Sequence, residues 1–382
     1  MRKTINIGDL GTIITGKTPP TTNKNYYGDY AVFIKPTDIS EQSKYTYETE
    51  EMYSKLAAEK YESSLIPKGA ICVPCIGTIG TKMTMTPCDC YTNQSINSII
   101  CNENYDNEYV YYLIKNFLPG LKAYNLGTAS GREYVSKSNF EKIELVAEQD
   151  KEIQKKIGVI LSRYDSLIEN YQKQIKLLEE AAQRLYKEWF VDLRFPGHEN
   201  TKIVDGVPEG WTPSQLGQLA EFKRGKTITK KDVIDGDIPV VAGGLEPAYY
   251  CNKSNTAERV ITISGSGANA GFTRMYFEKV WASDCSFVDA SVTPFLHFVY
   301  CYLKANKTTI DNMQKGAAQP HVYAKDINSL SICIPIESVL KSFEGTASKY
   351  FDTISSFQSQ IHLLTEARDR LLPKLMSGEI EI

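Results

Sequence analysis

The chain repeats itself once, in three pairs of similar segments that follow the same order in both halves. The pairs are Ile7–Thr18 with Leu216–Thr227, Gly127–Val146 with Gly316–Pro335, and Gln174–Phe190 with Gln360–Met376. The second pair aligns without a gap, so that Tyr134 matches Tyr323 and Ile143 matches Ile332. Each copy spans nearly half of the 382 residues, which is far longer than a solenoid repeat. The sequence therefore predicts one duplication of a two-part module.

The first part of each copy, residues 1–146 and 197–335, is predicted to be a globular domain of the α/β (α+β) class. Short apolar runs punctuated by Gly and Pro predict strands. These runs are AVFIKP, AICVPCIG and SINSIIC in the first copy, and RVITIS and KVWASDCSFV in the second. A Tyr-rich segment late in each copy, YVYYLIKNF or FLHFVYCYLK, predicts a helix.

The second part of each copy, residues 147–196 and 336–382, is predicted to be dominated by one long helix. Steps of three and four residues between mostly apolar positions define a heptad seam. The seam positions are Ile153, Ile157, Ile160, Tyr164, Leu167, Tyr171, Ile175, Leu178, Ala182, Leu185 and Trp189 in the first helix, and Leu340, Phe343, Ala347, Tyr350, Ile354, Phe357, Ile361, Leu364, Arg368, Leu371 and Leu375 in the second. We expect the two helices to pair as an antiparallel coiled coil that separates the two globular domains, with the copies related by a pseudo-twofold axis.

Composition limits the kind of function. A formal net charge of -3 and a pI of about 6.0 argue against a free-standing protein that holds nucleic acid by bulk positive charge. The first residues lack the apolar core of a signal peptide, and no apolar run has the length of a membrane span, so we expect no membrane association. Nine Cys, an odd number, in a chain without export signals predict reduced thiols and a cytoplasmic location.

Gly11–Thr18 reads G-x-x-x-x-G-K-T, the pattern of a phosphate-binding loop. Such a loop requires a helix that begins at the Lys and Thr, so that the helix N-terminus faces the phosphates. Pro19 and Pro20 follow instead, and they disfavour the helical region for the residues before them. The repeat also places Ala220 where the first glycine of the pattern would stand. We therefore predict a turn that leaves a strand. An autonomous nucleotide-hydrolysing or DNA-modifying enzyme that uses Gly11–Thr18 is the alternative function, and no N-P-P-[YF] motif supports it.

Five cysteines of the first copy raise the possibility of a zinc site. They are Cys72, Cys75, Cys88, Cys90 and Cys101. The first two lie in a predicted strand, where residues three apart face opposite sides, and the second copy has no matching cluster. We expect buried cysteines that act as small apolar residues, and no metal site.

Two other patterns also have a simple structural interpretation. Ile263–Gly271 contains G-x-G-x-x-A after a predicted strand, but strand-like sequence follows where a dinucleotide site needs a helix. His297 lies in a Tyr-rich predicted helix and is expected to be a packed core residue. The four His are scattered, and no nucleophile or carboxylate pair accompanies them, so we expect no catalytic residue.

The order of globular domain, helix, globular domain and helix, together with several short strings, resembles the DNA specificity subunit of type I restriction–modification enzymes. The strings are GKTP from Gly16, WFVDLRFPG from Trp189, VPEGW from Val207, GAAQPHVYAKDI from Gly316 and LLPKLMSGEI from Leu371. The resemblance covers essentially the whole chain. The first copy departs from it at GTASGREYV, which lacks the Gln-Pro-His of the second copy.

The resemblance implies that residues 1–146 and 197–335 are target-recognition domains, each of which reads one half of a split, asymmetric site in double-stranded DNA. It implies that the helices set the gap and help to dock two methyltransferase subunits, which methylate adenine with S-adenosylmethionine. Restriction motor subunits would add translocation and cleavage that depend on ATP and Mg. The specificity subunit itself is expected to catalyse nothing and to hold no cofactor.

Polar residues in the Gly-punctuated loops are the predicted DNA contacts. The candidates are Lys17, Thr18, Lys35, Thr37, Thr78, Lys82, Asn93, Gln94 and Arg132 in the first domain, and Arg224, Lys226, Ser264, Ser266, Asn269, Arg274, Gln319, His321 and Lys325 in the second. Arg and Lys suit guanine, Asn and Gln suit adenine, and others would hold phosphate. For each residue, a solvated loop position or a turn former is an equal alternative. A coiled-coil scaffold without DNA function would leave the two duplicated domains unexplained.

Overall fold

A computed structural model of the chain describes residues 2–127, 131–229, 231, 233–316 and 320–382. The chain divides into two compact units. Unit 1 comprises Met1–Tyr171 and Ser359–Ile382, and unit 2 comprises Gln172–Gln358. Each unit therefore contains one stretch of each long helix.

The described residues of unit 1 form eleven strands, three short α-helices and a share of the long helices. The strands are β1 Arg2–Asn6, β2 Gly11–Thr15, β3 Tyr27–Ile34, β4 Met52–Tyr53, β5 Ile71–Pro74, β6 Ile76–Gly77, β7 Thr84–Met85, β8 Tyr91–Thr92, β9 Ile96–Cys101, β10 Glu133–Tyr134 and β11 Glu144–Glu148. The helices are α1 Lys55–Lys60, α2 Asn107–Phe117 and α3 Lys137–Glu141, followed by the long helix α4 Lys151–Tyr186, which continues as a π-helical turn at Lys187–Val191.

Unit 2 has a similar set of elements. Its strands are β12 Ile203–Val204, β13 Val207–Pro208, β14 Thr212–Gln215, β15 Lys223–Arg224, β16 Ile238–Val241, β17 Tyr249–Cys251, β18 Val260–Ser264, β19 Thr273–Tyr276, β20 Trp281–Ala282, β21 Cys285–Asp289 and β22 Ser331–Ile334. Its helices are α5 Leu216–Leu219, α6 Leu296–Ala305, α7 Lys307–Asn312 and α8 Ala324–Asn328, followed by the long helix α9 Glu337–Ser377.

The two units share one sheet topology, which confirms the predicted duplication. Unit 1 has a four-stranded sheet of order β2-β9-β5-β7, a three-stranded sheet β4-β3-β8 and the pair β1-β11. Unit 2 has β15-β21-β18-β19, β17-β16-β20 and β14-β22 in the corresponding places. In both three-stranded sheets the pairing of the middle strand with the last strand is parallel, between β3 and β8 and between β16 and β20.

The ungapped alignment of Gly127–Val146 with Gly316–Pro335 is wrong over most of its length. Beyond the first few residues, the structural counterparts are offset from it by two residues. The Ile7 N–H donates to the carbonyl of Ile143 at 2.9 Å, and the equivalent Leu216 N–H donates to the carbonyl of Leu330 at 2.8 Å. Ile143 therefore corresponds to Leu330, not to Ile332.

The cause of this shift is a difference in loop length. The Leu126 N–H donates to the Tyr134 carbonyl, and the Lys315 N–H donates to the His321 carbonyl, so these bonds close equivalent loops. Seven residues lie between the bonded residues in unit 1 and five lie between them in unit 2. The structural counterpart of Tyr134 is consequently His321.

The Tyr-rich segments form helices at the centre of each core, as predicted. In α2 the six residues from Tyr109 to Ile114 are all buried, and in α6 the eight residues from Leu296 to Leu303 are buried. The α2 N-terminus has its own cap, because the Asp106 carboxylate accepts the Tyr109 N–H at 3.0 Å.

Helix α6 is capped by a residue from the long helix α9. Glu344 accepts the Phe298 N–H at 3.0 Å, and its other carboxylate oxygen lies 2.6 Å from Nδ1 of His297. A carboxylate at this end also complements the helix dipole. His297 is buried and stacks on Phe351, with ring centroids 4.6 Å apart. The prediction that His297 is a packed core residue is confirmed.

The long helices pair within each unit. In unit 1 the carboxylate of Asp165 on α4 bonds to the guanidinium of Arg368 on α9, and both side chains are buried. In unit 2, Ala182 and Tyr186 of α4 share one apolar cluster with Phe343 and Ala347 of α9. The chain runs in opposite directions along the two helices, because lower residue numbers on one meet higher numbers on the other.

In unit 1 the predicted seam of α4 is correct at Ile153, Ile157 and Ile160 and out of phase beyond them. Leu161, Asp165 and Ile168 are the buried positions there, whereas Leu167 is 44% exposed. The helix is rotated toward the globular part, because the hydroxyl of Tyr112 on α2 donates to the Asp165 carboxylate. In unit 2 the predicted positions are correct, since Ala182 is buried and Ile175, Leu178, Leu185 and Trp189 pack against the same cluster.

The Asp165–Arg368 pair should be a main determinant of the stability of unit 1. Removing one partner of a buried ion pair leaves an uncompensated charge and costs about 3–5 kcal/mol. We expect Arg368→Ala to lower the free energy of unfolding of unit 1 by that amount. Urea unfolding followed by tyrosine fluorescence measures it.

Arg370→Ala is the matched control for this prediction. Arg370 lies one half-turn away on α9, pairs with Glu366 and has a side chain that is 79% exposed. An exposed pair of this kind contributes about 0.3–0.5 kcal/mol. Equal losses of stability in the two variants would contradict the assignment of Asp165–Arg368 as the anchor.

Candidate nucleic-acid interface

Several loops of unit 1 meet at one edge of its four-stranded sheet. Strand registers place Thr15 opposite Asn97, and Pro74 opposite Ile96. The ends of β2 and β5 therefore lie beside the start of β9. We call the loops at this edge, residues 16–23, 75–83 and 93–95, the first loop edge. Residues 225–229, 265–272 and 283–284 form the equivalent second loop edge in unit 2, where Ser264 lies opposite Cys285.

The GKT segment of the first loop edge lies against neighbouring backbone. The Gly16 N–H donates to Ile96 at 3.3 Å, and the Lys17 N–H donates to Thr92 at 2.9 Å. The Lys17 carbonyl accepts the Tyr53 hydroxyl at 2.6 Å. A Cβ at Gly16 would lie 2.0 Å from the Thr92 carbonyl oxygen, so only glycine fits.

The GKT segment of the second loop edge has the same anchoring. The Gly225 N–H donates to Cys285 at 2.8 Å, and the Lys226 N–H donates to Ala282 at 2.9 Å. The Lys226 carbonyl accepts the Trp281 indole N–H at 2.7 Å. A Cβ at Gly225 would lie 2.4 Å from the Ser283 carbonyl oxygen. The repeated GKT therefore builds a loop with a fixed path.

This geometry is not that of a phosphate-binding loop. Residues 16–20 are irregular, a turn follows at Thr21–Thr22, and a single 3-10 turn spans Lys24–Tyr26. The N–H groups of Gly16 and Lys17, which would have to cradle a phosphate, are bonded to protein carbonyls. The predicted turn that leaves a strand is confirmed.

Most candidates of unit 1 lie at or beside the first loop edge. The Thr18 hydroxyl bonds to the Gln94 side-chain oxygen, and both residues are exposed. The Asn93 amide oxygen accepts the Ser95 N–H at 3.0 Å, so this side chain shapes its own loop. Glu133 pairs with Gly77 across β10 and β6, which brings the exposed Arg132 next to the exposed Thr78.

The remaining candidates of unit 1 differ in their surroundings. Lys82 is half-buried farther along the 75–83 loop, and Thr37 is exposed in the turn that follows β3. The Lys35 ammonium bonds to Glu50 at 2.8 Å and to Glu51 at 3.3 Å. Burial alone would lower the pKa of Lys35, but these two carboxylates outweigh it and raise that pKa. The charge of Lys35 is thus already offset within the protein.

In unit 2, polar side chains converge on Asp284 at the second loop edge. Its carboxylate accepts the Ser266 hydroxyl and lies 3.5 Å from Nη2 of Arg224. Arg224 and Lys226 are exposed. His321 is joined to Ser266 by a backbone bridge, and its ring stacks on Tyr323 with centroids 5.9 Å apart.

Other candidates of unit 2 have structural partners. Ser264 is 3% exposed and donates to the Gly243 carbonyl at 3.1 Å, so its side chain positions a loop. The Asn269 amide lies 3.4 Å from the same carbonyl. Arg274 lies within β19, away from the second loop edge, and bonds to the Leu245 carbonyl at 2.8 Å. Lys325 is exposed on α8. Gln319 lies outside the described residues.

The cysteines of the first copy behave mainly as core residues. Cys72, Cys75 and Cys90 are buried, Cys101 is half-buried, and Cys88 is exposed. Burial raises the pKa of Cys72 and of Cys75 to about 12 each. These two thiols therefore stay protonated near neutral pH, whereas a metal ligand would be a thiolate.

Asp284 is the residue of this surface that sequence reasoning missed. It gathers Arg224 and Ser266, yet a lone acidic residue is not an expected DNA contact. The loop between β20 and β21 corresponds to the loop that carries Asn93 and Gln94 in unit 1. This correspondence was a signal in the sequence that pointed to Asp284. Comparing the two copies loop by loop would have found it.

Comparison with known proteins assigns the chain to a family. The model of the type I restriction modification DNA specificity domain matches residues 2–180 and 208–369. These two matches cover most of the chain and coincide with the two copies of the repeat. The chain therefore belongs to the family of type I DNA specificity subunits, which recognise DNA and are not themselves enzymes.

Individual relatives agree with this assignment. The MjaIX specificity subunit of Methanocaldococcus jannaschii is 28% identical over 98% of this chain and 93% of its own length. The HindI specificity subunit of Haemophilus influenzae is 38% identical over 41% of this chain and 35% of its own length. The crystal structure of the type I S subunit from M. genitalium has the same fold, with a TM-score of 0.60 at 17% identity over 98% of this chain and 96% of that one.

None of the helices in the described ranges combines the length and the apolar character that a bilayer crossing requires.

The isolated chain should show no ATP binding, despite its G-x-x-x-x-G-K-T pattern. The Gly16 and Lys17 N–H groups are already used, and no helix dipole faces the loop in the described residues 16–23. Isothermal titration with ATP and Mg should give no heat beyond dilution. Micromolar affinity that disappears in Lys17→Ala but not in Lys24→Ala would contradict the assignment.

Proposed function

We propose that this chain reads a bipartite, asymmetric site in double-stranded DNA, with one half-site read by each loop edge. In this proposal residues 1–146 and 197–335 are the two target-recognition domains. Residues 147–196 and 336–382 supply the helices that determine how many unread base pairs separate the half-sites. The candidate residues at the two loop edges make the contacts to bases and phosphates.

The observation that carries this proposal is that the two loop edges share their strands and their anchored GKT loop but carry different side chains. Both edges have the same strands and the same anchored GKT loop. The first edge displays Thr18 and Gln94, and the second displays Arg224 and Asp284. The loop that follows Leu126 is two residues longer than the loop that follows Lys315. Equivalent loops with different hydrogen-bonding groups suit two different half-sites.

Charge supports a function that depends on partners. The chain has a formal net charge of -3, and sequence-independent DNA affinity depends on neutralising phosphates. We propose that two methyltransferase subunits dock on the chain and hold the duplex against the loop edges. These subunits would carry S-adenosylmethionine and methylate adenine. Restriction motor subunits would supply the activity that depends on ATP and Mg, and the complex would act on DNA in the cytoplasm.

Replacing one target-recognition domain should change one half-site only. The test exchanges residues 1–146 for the corresponding domain of a specificity subunit that reads a different sequence, and expresses the chimera with the partner methyltransferase. Methylome sequencing should find a new first half-site, with the second half-site and the spacing retained. Independent contributions are expected of sites that share no contacts.

The reciprocal exchange of residues 197–335 is the matched control. It should alter the other half-site and leave the first unchanged. A chimera in which both half-sites change would show that the two domains do not read DNA separately, and the proposal would then be wrong.

A further inference from the structure

The loop between β8 and β9 in unit 1 and the loop between β20 and β21 in unit 2 occupy equivalent places but carry different side chains. Thr92 and Ala282 accept the Lys N–H of the two GKT loops, which fixes the correspondence. Asn93–Ser95 follow Thr92 in unit 1, and residues 283–284 follow Ala282 in unit 2. The loops are equivalent but differ in length by one residue. Asp284 corresponds to Ser95, because their carbonyls accept the N–H groups of Gly265 and Cys75, and Gln94 is the exposed residue just before Ser95.

At the second loop edge, an arginine is held by this loop. Arg224 is the last residue of β15, lies opposite Ser286 and has a side chain that is 68% exposed. One of its terminal nitrogens lies 3.5 Å from Asp284, whose other carboxylate oxygen accepts the Ser266 hydroxyl. The carboxylate is thus fixed on one side and restrains the guanidinium on the other, while most of the Arg224 side chain stays exposed.

The pairing of Arg224 with the Asp284 carboxylate favours contact with a specific acceptor over general attraction to phosphates. A carboxylate at a DNA interface is repelled by phosphates unless a cation offsets it. Bulk attraction to phosphate would be stronger without Asp284, so the pair gives up affinity and gains a defined orientation. A planar guanidinium with two free N–H groups matches the O6 and N7 acceptors of guanine in the major groove.

The first loop edge carries an amide where the second carries this pair. Thr15 precedes Gly16 as Arg224 precedes Gly225, so no arginine stands at that position in unit 1. The exposed Gln94 side-chain oxygen bonds to the Thr18 hydroxyl. This oxygen retains a second lone pair, and the amide N–H groups remain available. Such an amide matches the N6 donor and N7 acceptor of adenine.

We propose that Arg224, oriented by Asp284, reads a guanine in one half-site, and that Gln94, oriented by Thr18, reads an adenine from the equivalent loop edge in the other half-site. This inference rests on the proposed function and adds the base that each edge selects. Arg224 and Gln94 contact the bases, and Asp284 is a positioning residue.

Methylome sequencing of cells that express each variant with the partner methyltransferase tests the proposal. In Arg224→Ala, one guanine of the second half-site should become degenerate while every other position is retained. In Gln94→Ala, one adenine of the first half-site should become degenerate. Losing one bidentate base contact should reduce discrimination at that position by about 5- to 150-fold.

Lys223→Ala is the matched control, because it removes the same charge one residue earlier. Lys223 lies opposite Phe287, and successive strand residues point to opposite faces. We expect the methylated motif of this variant to equal that of the wild type. A motif that stays unchanged in Arg224→Ala would overturn the proposal.

A second measurement decides the outcome if Arg224→Ala abolishes methylation. The purified complex with its methyltransferase is titrated with four duplexes that differ only in the base pair at the guanine position. The wild type should prefer guanine, Asp284→Asn should show a reduced preference with its total affinity retained or raised, and Arg224→Ala should bind all four alike. Equal weakening on all four duplexes with the guanine preference intact would identify Arg224 as a phosphate contact and overturn the proposal.

The proposed function and this inference fail in different ways. If the wild-type chain directs no bipartite methylation, the proposed function is wrong. If it does, but neither edge variant relaxes a single position, only the assignment of bases to Arg224 and Gln94 is wrong.

Discussion

The candidate interface depends on the close approach of two backbones at Gly16 and at Gly225. A Cβ at either position would lie 2.0 or 2.4 Å from a carbonyl oxygen, far inside van der Waals contact. This contact lets the following Lys N–H bond to the neighbouring strand, and it brings the GKT loop beside the loop that contains Gln94 or Asp284. The proposed reading positions of both units are therefore fixed by backbone, which leaves their side chains free to differ.

The packing of the long helices differs between the units, although the sheets correspond. Unit 1 ties α4 to α9 with the buried Asp165–Arg368 pair, and Tyr112 bonds to the same carboxylate. Unit 2 uses apolar and aromatic side chains in its helix pair, and Glu344 of α9 caps α6. Each globular part is consequently matched to its own stretch of helix. The duplicated copies have diverged in the packing of their long helices as well as in their loops.

Sequence reasoning predicted the features that repeat with a regular period or occur twice. The strands, the Tyr-rich helices, the two long helices and the turn that leaves the strand in Gly11–Thr18 could all be predicted in this way. The seam of α4 could not be phased beyond Ile160 in unit 1, because Leu161 and Leu167 are equally apolar and the Tyr112–Asp165 contact sets the rotation of the helix there. The two-residue difference in loop length before Ile143 could not be seen in the sequence, because several identical residues of the two copies align by chance without a gap.

The candidate site was harder to predict than the fold. Polar residues in loops were a sound starting set, but the set could not separate Arg224, which is exposed, from Ser264, which is buried. Strand β18 is buried at every residue, so it carries no alternation that would reveal which side chains reach the surface. Asp284 was missed because its importance lies in what it orients.

The central claim is that the same arrangement of strands and loops, present once in each unit, reads two separate half-sites. The methylome of cells that carry the wild-type chain with its methyltransferase tests it most directly. The account predicts one motif made of two different short half-sites, separated by a fixed run of unread bases, with methylated adenine in each. A single contiguous motif, or methylation without sequence preference, would contradict it.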